Sequence, residues 1–326
     1  MALLTYFVKR FALIIVSMIV VISISYTLMW YAPGNYLDIQ RTTTGLAARF
    51  GENSPEFKKQ RELFEERYGL DKPLPVQILT YIRKAATFSF GPSFSNPGVL
   101  IEDMVKERLP RTLMIVLLGL SLALIVGIPM GVLAALKRNT IVDYVVTSLS
   151  MVGQVIPSYV MAVAMILVFA GTVWNVLPVG GWTVPWPKPK EVVLPVVTLA
   201  LGPMASIARF TRNQVAETLS QEYIRTARAK GVPERLVVWR HTLRNSLIPV
   251  VTVTVPQIGS LLIGAVWIET IFRIPGIGQM FANGNNQRDY PMMITGTVVL
   301  AMGIMLSNLL ADILYAVLDP RIKLEA

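Results

Sequence analysis

Long apolar runs alternate along the chain with polar stretches of very unequal length. Six runs stand out, at residues 11–31, 112–136, 144–173, 192–210, 247–268 and 292–318. A helix of about 20 apolar residues crosses the hydrocarbon of a bilayer. The pattern therefore predicts an all-α polytopic membrane protein with six transmembrane helices. Lys9 and Arg10 precede the first run. Its apolar core is longer than the roughly 7–15 residues of a signal peptide, and no small-x-small cleavage site closes it cleanly, so it reads as an uncleaved first span.

The polar stretches divide the chain further. Residues 33–108 mix both charge signs and carry Pro33, Pro55, Pro73, Pro75, Pro92 and Pro97. Within them, 56–68 reads as an amphipathic helix with Phe57, Phe64 and Tyr68 on one face and Gly69 at its end. The aromatic run FSFGPSF at 88–94 is broken by Gly91-Pro92, a turn signal. So much helical and aromatic pattern predicts a small extracytoplasmic subdomain. The predicted organisation is residues 1–32 for the N-terminus and first span, 33–108 for this subdomain, 109–318 for the remaining five spans and 319–326 for a tail. Residues 174–191 hold three tryptophans and four prolines, the composition of an interfacial loop. Residues 269–290 read as a second outer loop with a Pro-Gly turn.

The stretch 211–246 is the most informative. It reads as a helix, a break and a second helix. Leu219, Tyr223 and Ala227 give the first helix an apolar face. Arg225, Arg228 and Lys230 point elsewhere, and basic residues suit a helix C-terminus. Gly231 fits the cap and Pro233 the first turn of the next helix. Leu236, Trp239 and Leu243 predict a stripe on the second helix. A basic helical pair between two spans is the form of a docking element.

Charge orients the chain. Only 15% of its residues are charged and 53% are hydrophobic, against about 25% charged in soluble domains. The net charge of +10 reads as Lys and Arg gathered in inside loops rather than as a nucleic-acid site. Two basic residues stand at the N-terminus, two after the second run, eight in 209–244 and two in the tail. Only Lys188, Lys190, Arg273 and Arg288 fall in the short outer loops. Both termini are thus expected on the cytoplasmic side. Prolines and glycines punctuate runs two to five; they serve either close packing or the opening of a pathway. Asp312 lies within the sixth run, where an acid is a functional candidate or a structural partner. Asp143 and Glu269 lie at run ends and are expected to face water. The chain has no cysteine and a single histidine, His241, which disfavours thiol chemistry and zinc. No phosphate-cradling loop or nucleophile motif occurs, so any ATP hydrolysis belongs to a partner.

Taken as a string, the 222–250 stretch resembles the cytoplasmic loop of permease subunits in bacterial binding-protein-dependent ABC importers. The general pattern of that loop is E-A-A, three residues, Gly, nine residues, I-x-L-P. Gly231 matches its glycine, Ala227 its second alanine and Leu243 its leucine; Arg225, Thr226, His241 and Arg244 depart from it. YIRTARAKG followed by HTLRNSLIPVVT is similar to the version in the dipeptide, oligopeptide and nickel permeases. YAPGN, YGLDKPLPVQ at 68–77, FGPSF at 90–94, RLPRTL at 108–113, IFRIPGIGQ at 271–279 and LDPRIKL at 318–324 agree along nearly the whole chain. FGPSF and LDPRIKL lean toward the first permease of an oligopeptide importer.

The resemblance implies a type I ABC importer permease fold in a bacterial or archaeal cytoplasmic membrane. It implies four partners besides the lipid bilayer: a second homologous permease, two cytoplasmic ATP-binding subunits and an extracytoplasmic solute-binding protein. ATP and Mg would be bound by the ATPase subunits, with no cofactor, metal or catalytic residue in this chain. The coupling loop would consist of Tyr223, Arg225, Thr226, Ala227, Arg228, Lys230, Gly231, Pro233, His241, Leu243, Arg244 and Asn245. It would seat in the ATPase and transmit its closure as alternating access. Two other readings compete. One is the same architecture importing nickel or an oligosaccharide. The other is a stand-alone secondary transporter or channel, which predicts inverted repeats or buried coupling charges that the sequence does not display.

Overall fold

The structure is a computed structural model that describes residues 2–32, 55–171 and 173–318. The YAPGN stretch beyond Ala32, the 33–54 part of the predicted subdomain, and the tail with LDPRIKL beyond Leu318 lie outside the described residues.

Most of the described residues are helical. Helix α1 runs Ala2–Tyr31, α2 Pro55–Tyr68, α3 Leu74–Ala86 and α4 Ile101–Leu136. Then come α5 Ile141–Val155, α6 Ser158–Phe169 and α7 Pro189–Leu219. The polar stretch forms α8 Glu222–Ala229, the single turn α9 Glu234–Leu236 and a π-helical segment Val237–Leu243. Helices α10 Arg244–Thr254, α11 Gln257–Ile271, α12 Ile277–Gln287 and α13 Tyr290–Leu318 complete the chain. Among the described residues four helices are long and apolar enough to cross a membrane, and six spans result if two bent helix pairs each count as one.

Both bent pairs fall in runs that the sequence punctuates with proline and glycine. The third run is made of two helices, α5 and α6, that meet at 109°. Ile156, the residue before Pro157, is extended at φ −76° and ψ 122°, because the proline ring clashes with a helical predecessor. The run at 247–268 is likewise bent, by 47°, where α10 gives way to α11 at Pro256. Pro195 and Pro203 stay inside α7, and Pro249 inside α10. The predicted outer loop at 269–290 also contains a helix, α12, which starts at the Pro275-Gly276 turn with Gly276 as its N-cap.

The chain divides into two compact units. The first comprises 3–110 and 276–302. Its centre is aromatic: Phe64, Tyr68 and Phe94 meet with ring centroids 4.4–5.0 Å apart, and Tyr290 lies 5.9 Å from Phe94. Gly69 ends α2 in a left-handed turn, φ 69°. Two acids hold the aromatic run in place. Glu102, in the first turn of α4, accepts the N–H groups of Phe90 and Gly91 at 3.2 and 3.1 Å. Asp289 is fully buried and accepts from the hydroxyls of Ser93 and Ser95, from the Ser95 N–H and from the Met292 N–H. Burial pushes the Tyr81 phenol far above its ordinary pKa, although its hydrogen bond with the Thr295 hydroxyl at 2.7 Å opposes that shift.

The second unit comprises 111–275 and the chain from 303 onward. Helix α7 runs through its middle, where Ala200 and Ile207 pack with Ala123 of α4 and Val250 of α10. Glycines set the spacing. A Cβ on Gly131 would lie 2.4 Å from the Ala208 carbonyl oxygen, and one on Gly127 would lie 2.8 Å from that of Met204. Backbones that close require a missing side chain.

The acids at the run ends do not face water. Asp143 is 3% exposed and Glu269 is completely buried. Asp143 pairs with Arg212 of α7, and Glu269 of α11 accepts the Thr112 hydroxyl of α4 at 2.6 Å. Asp312 is half-buried in α13.

Candidate functional site

The 211–246 stretch folds as a compact knob. Helix α8 ends at Lys230, whose N–H reaches the Thr226 carbonyl. Gly231 follows with φ +76°, its N–H on the Arg228 carbonyl at 2.9 Å. A Cβ there would meet nothing within 4 Å, so glycine is needed for its left-handed backbone alone. Pro233 is extended and serves as the N-cap of α9, one position earlier than the predicted first turn.

Three kinds of contact close the break. Ile224, Ala227 and Val237 form a buried cluster with Val232 against it. Arg228 grips Glu234 at two points, Nε to Oε2 at 3.0 Å and Nη2 to Oε1 at 2.6 Å. That hydrogen bonding raises the Arg228 pKa above its ordinary value. The Asn245 amide donates to the Tyr223 hydroxyl at 3.0 Å and to the His241 carbonyl at 3.2 Å, tying α8 to α10.

The second helical segment differs from the predicted stripe. Leu236 and Trp239 are exposed, at 49% and 67%. Val237, Val238, Thr242 and Leu243 are buried instead. The reason is the π turn, in which positions five apart share a face. The Thr242 hydroxyl donates to the Val237 carbonyl five residues back, at 3.1 Å. On α8 the buried residues are Ile224 and Ala227, and Tyr223 is exposed. The repeated pairs Val237-Val238 and Thr242-Leu243 are the sequence signal that a strict 3.6-residue reading passes over.

The knob is fastened to the core. Val238 and Leu243 pack on Ala135 near the end of α4 and Val215 near the end of α7, with Val132, Ala216 and Leu219 around them. The predicted residues therefore fall into two groups. Ala227 and Leu243 are buried inside the knob. Arg225, Thr226, Arg228, Lys230, Gly231, Pro233, Arg244 and Asn245 lie on its surface, with Tyr223 beside them and His241 half-buried. The exposed residues of the knob include Arg225, Arg228, Lys230 and Arg244 as well as Leu236 and Trp239, a mixture of positive charge and apolar area suited to a protein partner.

Residues 127–324 match the family described as binding-protein-dependent transport system inner membrane component. The chain is 38% identical over 320 residues to the dipeptide transport system permease protein DppB of Bacillus subtilis, covering 98% of each. It is 37% identical to the oligopeptide transport system permease protein OppB of Escherichia coli K12, over 98% of this chain and 99% of that one. It is 35% identical to the oligopeptide transport system permease protein AppB of Bacillus subtilis, with the same coverage. The chain belongs to this family of inner membrane components. It is a non-catalytic permease subunit with the type I importer fold.

Proposed function

We propose that the chain is the translocation subunit of an ATP-driven importer of dipeptides or oligopeptides in a prokaryotic cytoplasmic membrane, with both termini on the cytoplasmic side. Its partners are a second permease of similar fold, two ATP-binding subunits that carry ATP and Mg, and an extracytoplasmic binding protein. The relatives named for dipeptide and oligopeptide transport support the solute class. The observation that carries the mechanism is the knob's attachment. Its exposed residues include Arg225, Lys230 and Trp239, and its buried Val238 and Leu243 pack near the ends of α4 and α7. A displacement imposed by an ATPase on the outer face reaches those two helices as a rigid push. The two-point Arg228–Glu234 pair and the Tyr223–Asn245 bond keep the knob from yielding internally.

Copurification from native membranes tests this reading. Recovery of a second six-span protein and two Walker-motif ATPases is expected, with peptide uptake into vesicles that depends on ATP. A chain recovered alone that moves solute without ATP overturns the importer reading. ATP-driven uptake of nickel or an oligosaccharide, with none of peptide, overturns the solute class.

A further inference from the structure

Helix α1 is left almost bare by the rest of its chain. Only 6% of its apolar window is buried, and Val16, Val20, Ile24 and Leu28 are exposed along it. In a membrane that flank belongs to lipid acyl chains. Trp30 and Tyr31 are exposed as well. They mark this end of the helix as the level of the lipid headgroups, where such rings collect.

At the same end the first unit has a hollow of about 250 Å³. Its wall is mainly aromatic and apolar. Tyr26 comes from α1, Tyr81 from α3, Phe90 and Phe94 from the aromatic run, and Tyr290 and Ile294 from α13. The polar groups buried in this wall are already spent. Gln77 is 4% exposed; it accepts the Tyr26 hydroxyl at 2.7 Å and donates to the Leu70 and Lys72 carbonyls at 2.9 and 2.6 Å. The Tyr81 hydroxyl is held by the Thr295 hydroxyl and the Pro291 carbonyl. The charges are not spent. Arg67, Lys72 and Lys84 line the hollow, with Glu66 as its one acid. Among the described residues none of these three cations is ion-paired. Lys84 is half-buried, its Nζ 3.7 Å from where a Gly91 Cβ would stand.

A second hollow of about 470 Å³ shares Tyr26, Leu70, Gln77, Tyr290 and Ile294 with the first and continues past Met29 and Trp30. Its charges differ. Arg61 is spent on Glu65 at 2.7 Å, and Asp71 adds another acid. The surplus of positive charge is therefore confined to the first hollow.

Unpaired cations over an aromatic and apolar wall fit an anion that carries an apolar body. An anionic phospholipid has that chemistry, and so does a peptide with a free carboxylate. A half-open hollow holds either one weakly, and mass action fills it with whichever is abundant beside it. The bilayer supplies phospholipid continuously at the end of α1, and the bare flank of α1 receives acyl chains. We propose that the hollow binds the headgroup of an anionic phospholipid, with its phosphate at Lys84, Lys72 and Arg67 and its acyl chains passing Met29 and Trp30 to α1. Such a lipid is a partner of the first unit whichever solute the importer carries.

The test titrates the full-length chain in neutral detergent with phosphatidylglycerol, phosphatidylcholine or trialanine and follows the thermal midpoint. Phosphatidylglycerol is expected to raise the midpoint saturably, at about tenfold lower concentration than phosphatidylcholine. Trialanine is expected to leave it unchanged. Lys84→Gln and Lys72→Gln should each raise the half-saturating concentration of phosphatidylglycerol about fivefold, the worth of one cation beside a charged lipid. Thr80 also lines the hollow, so Thr80→Phe fills the space with every charge kept and should abolish the saturable response. Lys59→Gln removes an exposed lysine of α2 that does not line the hollow, and should respond as wild type does. An equal loss in Lys59→Gln would mean diffuse surface attraction and overturns the proposal. So does an unchanged response in both Lys84→Gln and Lys72→Gln, or a midpoint raised by trialanine and not by phosphatidylglycerol.

Discussion

Asp143 and Arg212 meet at two points, with Arg212 Nε 2.9 Å from Oδ1 and Nη2 2.7 Å from Oδ2. The Asn139 N–H adds a third bond to the same carboxylate at 3.0 Å. The pair joins the first turn of α5 to the later part of α7, with the two side chains only 4% and 24% exposed. Removing one partner of a buried pair strands the other charge, at about 3–5 kcal/mol when burial is complete. Arg212 keeps some solvent, so Asp143→Ala is expected to destabilise the protein by about 2 kcal/mol. Thermal unfolding in detergent measures this, and the charge-swapped double variant should regain part of the loss. An unchanged midpoint would show the pair to be energetically idle.

Gly231 has a left-handed backbone and open space where a side chain would stand. A β-branched residue there is strained by about 1–2 kcal/mol without any steric clash. Gly231→Val is expected to reach the membrane at normal levels yet lose most ATP-driven uptake, because the knob no longer holds its shape. Gly231→Asn should be milder, since asparagine tolerates this region. Immunoblots and vesicle uptake, run side by side, check the separation of insertion from transport.

At Gly131 the constraint is space. Its Cβ would lie 2.4 Å from one backbone oxygen and 2.7 Å from the Thr211 Cβ. Overpacking of this sort costs roughly 1–3 kcal/mol, and Gly131→Leu should exceed that range. Gly202→Ala is the control, because the nearest atom there is 3.8 Å away. Protease resistance of the two variants should differ sharply; equal resistance would contradict the close approach of α4 and α7.

Asp289 gathers four donors in a site with no solvent. Asp289→Ala removes their shared acceptor, and a buried donor left unpaired, such as the Met292 N–H, costs about 1–3 kcal/mol. Hydrogen exchange should accelerate at Ser95 and along the aromatic run while α5 to α7 keep their protection. Unchanged exchange at Ser95 would remove Asp289 from that role.

Trp239 projects from the knob at 67% exposure. Trp239→Ala should leave thermal stability nearly untouched. It should weaken recovery of the ATP-binding subunits, because buried tryptophans at interfaces commonly contribute 2 kcal/mol or more, about thirtyfold in affinity. Full recovery would place the ATPase contact elsewhere on the knob.

The burial of Asp143 and Glu269 shows where a linear reading stops. Both stand at the ends of apolar runs, the usual place for a solvated charge. Arg212 lies 69 residues from Asp143, and Thr112 lies 157 residues from Glu269. No local pattern brings such partners together. The second half of the knob shows the same limit: a 3.6-residue period assigned Leu236 and Trp239 to the buried face, whereas the π turn buries Val237 and Val238.

By itself the sequence determined the helical membrane class, the positions of the apolar runs, and the helix, glycine break and helix of the knob. These follow from short-range physics: apolar length against bilayer thickness, and the backbone freedom of Gly231. Tertiary structure alone decided which prolines break a helix. Pro157 and Pro256 do so, while Pro195, Pro203 and Pro249 remain within α7 and α10. A proline always frees a carbonyl, but whether the helix runs on depends on what neighbouring elements offer that carbonyl and the chain around it. Packing between distant segments supplies that answer.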